Sequence, residues 1–145
     1  ASGATILGVF NGCFYIDPTS KKPTYSNYYP GSINVTSAGS ISGSTNIDAY
    51  IYDDPYMLFE AQCDGTLAKT DIGKNTDTVL TAGSTVNGLS KNEIDDSTEA
   101  TTAGLQVKII GITKDPENDD ASSANANWYV MFNEHVKLGT GITGT

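Results

Sequence analysis

The chain has 145 residues, 17 of them acidic and 8 basic, for a formal charge of −9, and every basic residue is a lysine. Nucleic-acid binding draws its affinity from basic side chains on phosphates, and base readout leans on arginine, so a DNA- or RNA-binding role is not expected. Hydrophobic residues make up 38% of the chain and Gly 15 positions, which calls for a core built from short strands between many turns.

From the N-terminus, Ile6 to Ile16 reads as a strand interrupted by Gly8 and Gly12, where a bulge or a close backbone approach fits. Asp17-Pro18 stops it. Thr19 to Gly31 reads as a loop that holds Tyr25, Tyr28 and Tyr29 between Pro23 and Pro30, with Tyr29-Pro30 an opportunity for a cis bond. Ser32 to Ile47 is small and polar, an edge strand or an ordered loop. Ala49 to Tyr52 and Tyr56 to Cys63 are strand candidates separated by a corner at Asp53-Asp54-Pro55. Met57, Phe59, Ala61 and Cys63 alternate with Leu58, Glu60 and Gln62, the clearest period-two signal of the N-terminal half. Beyond the Asp64-Gly65 turn, Leu67 and Ile72 form a short apolar pair, and Thr78 to Thr81 with Ser84 to Leu89 fits a hairpin around Ala82-Gly83. Ser90 to Glu93 matches a capping box, but no apolar helical stripe follows it.

The organising elements lie further on. Leu105 to Thr113 and Asn127 to Val136 are rich in β-branched and aromatic residues and alternate, as the central pair of an antiparallel sheet would. In the first, Leu105, Val107 and Ile109 share a core face while Gln106 and Lys108 face solvent; Gly111 marks a bulge. In the second, Trp128, Val130 and Phe132 oppose Tyr129 and Met131, which predicts a strand covered on both sides. The connection from Lys114 to Ala126, with Asp115, Glu117, Asn118, Asp119 and Asp120, reads as a solvated excursion. Lys137 to Thr145 is a Gly/Thr tail, and such tails are ordered only when something holds them, which points to a neighbouring subunit. Many short strands around one shared core predict an all-β, antiparallel β-sandwich or jelly-roll-like barrel with long loops. The whole of 1–145 is read as a single domain with an arm over about 1–6.

Chemistry is sparse. The single histidine, His135, stands in no nucleophile motif and reads as structural, and Cys13 and Cys63 read as two buried free thiols. Zinc would need more His and Cys in one place, and the acidic run at 115–120 lacks the ligand spacing of a calcium loop, so no metal, cofactor or catalytic residue is expected. Asn34-Val35-Thr36 is a formal glycosylation sequon, read as chance because Ala-Ser-Gly-Ala-Thr lacks the features of an export signal. No stretch has the length of a transmembrane helix, so no membrane partner is expected. The aromatic residues Tyr25, Tyr28, Tyr29, Tyr50, Tyr52, Tyr56 and Trp128 are the remaining lead, as interface anchors or a stacking platform for sugars.

Several stretches together resemble a family of small structural proteins of tailed-bacteriophage heads. They are Gly8-Val9-Phe10-Asn11-Gly12-Cys13-Phe14-Tyr15, Asp17-Pro18-Thr19, Lys22-Pro23-Thr24, Tyr28-Tyr29-Pro30-Gly31, Asp53-Asp54-Pro55 and Phe59-Glu60-Ala61-Gln62. Ser97 to Ala103, Lys108 to Gly111, Asn125 to Trp128 and Asn133-Glu134-His135 continue the likeness. The resemblance implies a capsid decoration or cement protein, made in the host cytoplasm and placed on the outer surface of the virion. Its implied partners are the major capsid protein and other copies of itself, as a dimer or trimer. For such a role Tyr25, Tyr28, Tyr29 and Pro30 are the expected anchors and Ala1, Ser2, Thr5 and Ile6 the expected strap. A head–tail adaptor, a tail-tube component and a carbohydrate-binding β-sandwich are the alternatives.

Overall fold

The computed structural model describes residues 4–17, 20–30, 47–84, 86–118, 120–139 and 141–145. The expectations for Ala1, Ser2, the sequon and the segment 32–46 lie outside these residues. Among the described residues the protein is all-β, with antiparallel sheets, no α-helix and no closed barrel. Its contacts divide the chain into two units, one made of 8–53 and 83–90, the other of 1–7, 54–82 and 91–145.

The first unit is built on a three-stranded sheet of β1 (Val9–Ile16), β2 (Pro23–Ser26) and β3 (Ile47–Tyr52), in the order β2-β1-β3. The glycine interruptions fall where the sequence places them. Gly8 and Gly12 have φ of 154° and 128°, and the β1–β3 register shifts between Phe10 and Gly12. A β-carbon on Gly8 would collide with the Tyr52 carbonyl oxygen. The predicted loop over 19–31 is corrected by β2, which pairs Tyr25 with Phe14 and Pro23 with Ile16. Proline is tolerated there because it opens an edge strand, where its missing N–H has no ladder partner to lose. Tyr29-Pro30 is trans.

The second unit holds the main core. Its four-stranded sheet, β4-β9-β8-β5, is formed by β4 (Phe59–Gln62), β5 (Asn75–Thr76), β8 (Val107–Ile112) and β9 (Asn127–Phe132), with β8 and β9 at its centre. The β8–β9 register shifts between Ile109 and Gly111, the bulge that the parity slip implies. Trp128, Ile109, Ile94, Leu67 and Cys63 are fully or almost fully buried, with Val107, Val130 and Phe132 packed among them. Burying each of the larger side chains is worth about 2 kcal/mol, so this cluster dominates the unit's stability.

Several expectations are revised. The hairpin around Ala82-Gly83 is replaced by a wider one, in which β6 (Thr78–Val79) pairs with β7 (Glu93–Ile94); Glu93 is thus in a strand and not a helix. Gln106 is buried, because both ends of its amide find partners. Its Oε1 accepts from Thr78 N and Oγ1 at 3.0 and 2.7 Å, and its Nε2 donates to Ala4 O at 3.0 Å. Tyr129 is exposed and Met131 only half-buried, so β9 is not covered on both faces. Ile72 is exposed while Leu67 enters the core. The 114–126 excursion is only partly solvated. Ala121 and Ala126 join the core, and Asn118 donates to Asn127 O at 2.8 Å and accepts from Asn127 N at 2.6 Å, closing the loop on itself.

The tail, for which a neighbouring subunit is the suspected holder, is tied down by its own chain. Ile142 N donates to Asn133 Oδ1, Asn75 Nδ2 donates to Ile142 O, Gly144 N to Thr101 O and Thr145 N to Gly73 O, all at 2.8–3.1 Å.

Candidate interaction surface

Cross-strand partners share a face, so the β2-β1-β3 register decides which side chains stand together. Phe14 pairs with Tyr25, Gly12 with Tyr50 and Val9 with Tyr52. With the alternation along each strand, this puts Tyr25, Tyr50, Tyr52, Val9, Phe14 and Ile16 on one face. Tyr25, Tyr50 and Tyr52 are 59%, 48% and 46% exposed, and Val9 and Ile16 are exposed beside them.

The Tyr25 ring is tied down and lies against that of Tyr50. Tyr25 donates its hydroxyl to Asn11 O at 2.9 Å, and its ring centroid lies 6.0 Å from that of Tyr50 at a tilt of 32°. Gly12 makes this possible: a β-carbon there would lie 2.5 Å from the Tyr25 hydroxyl oxygen and 2.8 Å from the ring carbon that bears it. A glycine in the middle strand is what lets the Tyr25 side chain lie across the backbone.

Charge separates the two units. The unit carrying this face holds Asp17, Asp48 and Asp53 against Lys21 and Lys22, so it is close to neutral, and nearly all of the formal −9 belongs to the other unit. Asp48 is the one charged residue on the exposed face of the three strands. A partner surface meets least repulsion here.

Of the anticipated anchors, Tyr25 and Tyr29 are exposed, Tyr28 is half-buried and Pro30 is buried. The Tyr28 carbonyl receives the Cys13 thiol at 3.4 Å and the Ser26 hydroxyl at 2.7 Å, so this residue serves the loop itself. Thr5 is exposed, whereas Ile6 packs on the core of its own unit, exchanging backbone hydrogen bonds with Glu134 and Val136. Tyr50 and Tyr52 complete the exposed face with Tyr25. The signal for them is the alternation Asp48, Tyr50, Tyr52, which shares one side of β3.

His135 is fully buried and serves as a tie. Its Nδ1 accepts from Lys137 N at 3.1 Å, so Nε2 carries the proton and donates to Leu7 O at 3.0 Å. The ring stacks on Phe132 at 5.2 Å. Cys13 and Cys63 are both free and buried. Burial pushes the Cys63 thiol up to about 11; the Gly65 N–H opposes this, and the carboxylates of Asp96, Asp64 and Asp95 add to it. Those three carboxylates lie within 4.8 Å of one another. They are turned to local donors: Asp64 accepts from Asp96 N, Asp96 from Thr66 N, and Asp95 from Ser97 N and Oγ. In the 115–120 loop, Asp115 and Asp120 likewise accept from Glu117 N and Ser122 N within their own turns. The hydrogen bonds from Ser122 hold the Asp120 carboxyl below its usual range.

Compared with protein-family models, curated proteins and solved structures, the chain matches none.

Proposed function

We propose that the protein is a bacteriophage capsid decoration protein. It binds the outer surface of the assembled head as a homo-oligomer and bridges neighbouring capsid subunits. The observation that carries this reading is the exposed Tyr25–Tyr50–Tyr52 face on a nearly neutral unit of an otherwise acidic chain. Tyrosines are large, amphipathic contacts with few rotatable bonds to order on binding, and they are enriched among the residues that dominate interface energies. The likeness of the sequence to small phage head proteins supplies the identity of the partner, the major capsid protein.

The mechanism involves no bond-making and assigns no catalytic residue and no cofactor. An interface of ordinary size buries about 1,600 Å² in total, and repetition over a symmetric shell makes many modest contacts collectively strong. A protein that binds only the mature lattice stabilises that lattice by linkage.

The test is the copy number of the chain relative to the major capsid protein in purified particles, with a wash series on intact heads. Hundreds of copies, removable while the shell survives but breaks more easily, support the reading. A handful of copies points to a head–tail adaptor or tail component and refutes it. On stripped heads, Tyr50→Ala and Tyr25→Ala should each weaken rebinding about tenfold, the effect of losing about 1.4 kcal/mol at an interface anchor. The same exposed rings favour one second reading, a sugar-stacking surface, and glycan binding with no affinity for heads identifies it.

A further inference from the structure

The order β2-β1-β3 leaves the unit with two sheet edges, and the two are built differently. The β2 edge is short, opens with Pro23 and follows Lys21 and Lys22 directly. Proline, lysine and shortness are the devices by which edge strands avoid pairing with other chains. The β3 edge has none of them. It is six residues long, Ile47-Asp48-Ala49-Tyr50-Ile51-Tyr52, with no proline, no lysine and one carboxylate. Among the described residues its only strand partner is β1, so a row of backbone N–H and C=O groups points away from the sheet.

We propose that the β3 edge pairs antiparallel with the β3 edge of a second copy of this chain, joining two three-stranded sheets into one across a two-fold axis. Three features favour a second copy over another occupant. The edge lies in the nearly neutral unit, where two chains of formal charge −9 repel each other least. It is self-complementary. A two-fold axis perpendicular to the sheet must centre on a residue, and the two registers that keep nearly the whole strand paired centre on Ala49 or on Tyr50. The first opposes Asp48 to Tyr50 and Ile47 to Ile51; the second opposes Asp48 to Tyr52 and Ala49 to Ile51. Neither opposes Asp48 to its own copy. Each register also contains one pair of the kind that stabilises adjacent strands, Ile47 opposite Ile51 in the first and Tyr50 opposite its own copy in the second.

Such an axis leaves the same face of both sheets uppermost. The Tyr25, Tyr50 and Tyr52 sets of the two copies then form one continuous surface, twice the contact area that a single copy offers a shell. This inference names the surface behind the homo-oligomer of the reading above. The dimer itself is formed without a shell, so it is tested on the free protein.

The experiment is sedimentation of the full chain at micromolar concentration and physiological ionic strength, together with thiol cross-linking of Ala49→Cys and Tyr50→Cys. The natural thiols, Cys13 and Cys63, are buried and serve as the uncross-linked background. The expected result is a species of twice the 15.3 kDa of one chain. One of the two variants should cross-link to its own copy, because residues at the centre of the pairing face themselves. Ala49→Lys should raise the dissociation constant at least tenfold with an unchanged circular-dichroism spectrum. A monomer, a trimer, or a dimer that cross-links at neither position overturns the proposal. Shell rebinding is measured separately, so a monomer that still decorates heads defeats the dimer and leaves the decoration reading standing.

Discussion

Asn133→Ala tests whether one buried amide holds the C-terminal tail. The Asn133 side chain is almost fully buried; its Nδ2 donates to Ala103 O at 2.8 Å and Leu105 O at 2.9 Å, and its Oδ1 accepts from Ile142 N at 2.9 Å. Alanine leaves two carbonyls and one amide without these partners. At about 1 kcal/mol for each lost bond, with part of the penalty for stranding buried groups added, the cost is about 3–4 kcal/mol. A urea m-value of about 2 kcal/mol per M turns this into a fall of about 1.5–2 M in the unfolding midpoint. The single tryptophan, Trp128, is fully buried in the same unit, and its fluorescence reports that unit's unfolding. Hydrogen exchange at the Ile142 amide is the local readout and should accelerate towards the rate of an open chain. A midpoint shift below about 0.5 M with Ile142 protection intact would refute the reasoning, since it would mean that the ties to Asn75, Thr101 and Gly73 hold the tail without the Asn133 amide.

Four further outcomes follow from the geometry. Burial raises the Asp71 carboxyl, but the hydrogen bond from Lys74 Nζ at 2.8 Å, the Ala68 N–H and the lysine charge outweigh it and hold the carboxyl below its usual range. The stability from this ionised group is present above the unfolded value near 4 and lost as pH falls through the folded one. Asp71→Asn should therefore cost about 1–2 kcal/mol at pH 7, with the two proteins converging in acid urea titrations. The Cys63 thiol, raised from 9.0 to about 11, stays protonated in the fold after the unfolded chain has lost its proton, so stability should fall as pH rises from 9 towards 11. An aromatic disulfide reagent at neutral pH should find no quickly reacting thiol in the native protein and both thiols in urea. Gly12→Ala forces a side chain into a backbone with φ of 128°, against the Tyr25 hydroxyl. It should cost about 2 kcal/mol and weaken head binding as much as Tyr25→Ala does, with NMR of the Tyr25 ring as the check.

Much of the fold is legible in the sequence wherever a strand carries its own alternation. The β8–β9 pair, its bulge at Gly111, the strand Phe59–Gln62 within the longer run expected over 56–63, and the interruptions at Gly8 and Gly12 all follow from the period of two and from the missing β-carbon of glycine. β2 is harder to see, because Pro23 and the crowded tyrosines look like a loop until β1 lies alongside. The tyrosine face is half legible: its residue types and the parity of β3 are visible, but the meeting of Tyr25 with Tyr50 across Gly12 is not.

The sequence by itself determined the all-β class, the central strand pair, the short supply of reactive groups and the acidity of the chain. Each of these is a property of neighbouring residues or of composition, set by side-chain alternation and formal charge. Tertiary structure alone decided that Gln106 is buried, that the arm and tail are tied to their own unit and that three tyrosines share an open face. Gln106 meets Ala4, Asn75 meets Ile142 and His135 meets Leu7 across 102, 67 and 128 positions of the chain. A buried amide or imidazole must find a partner wherever the fold provides one, and no local pattern carries the address.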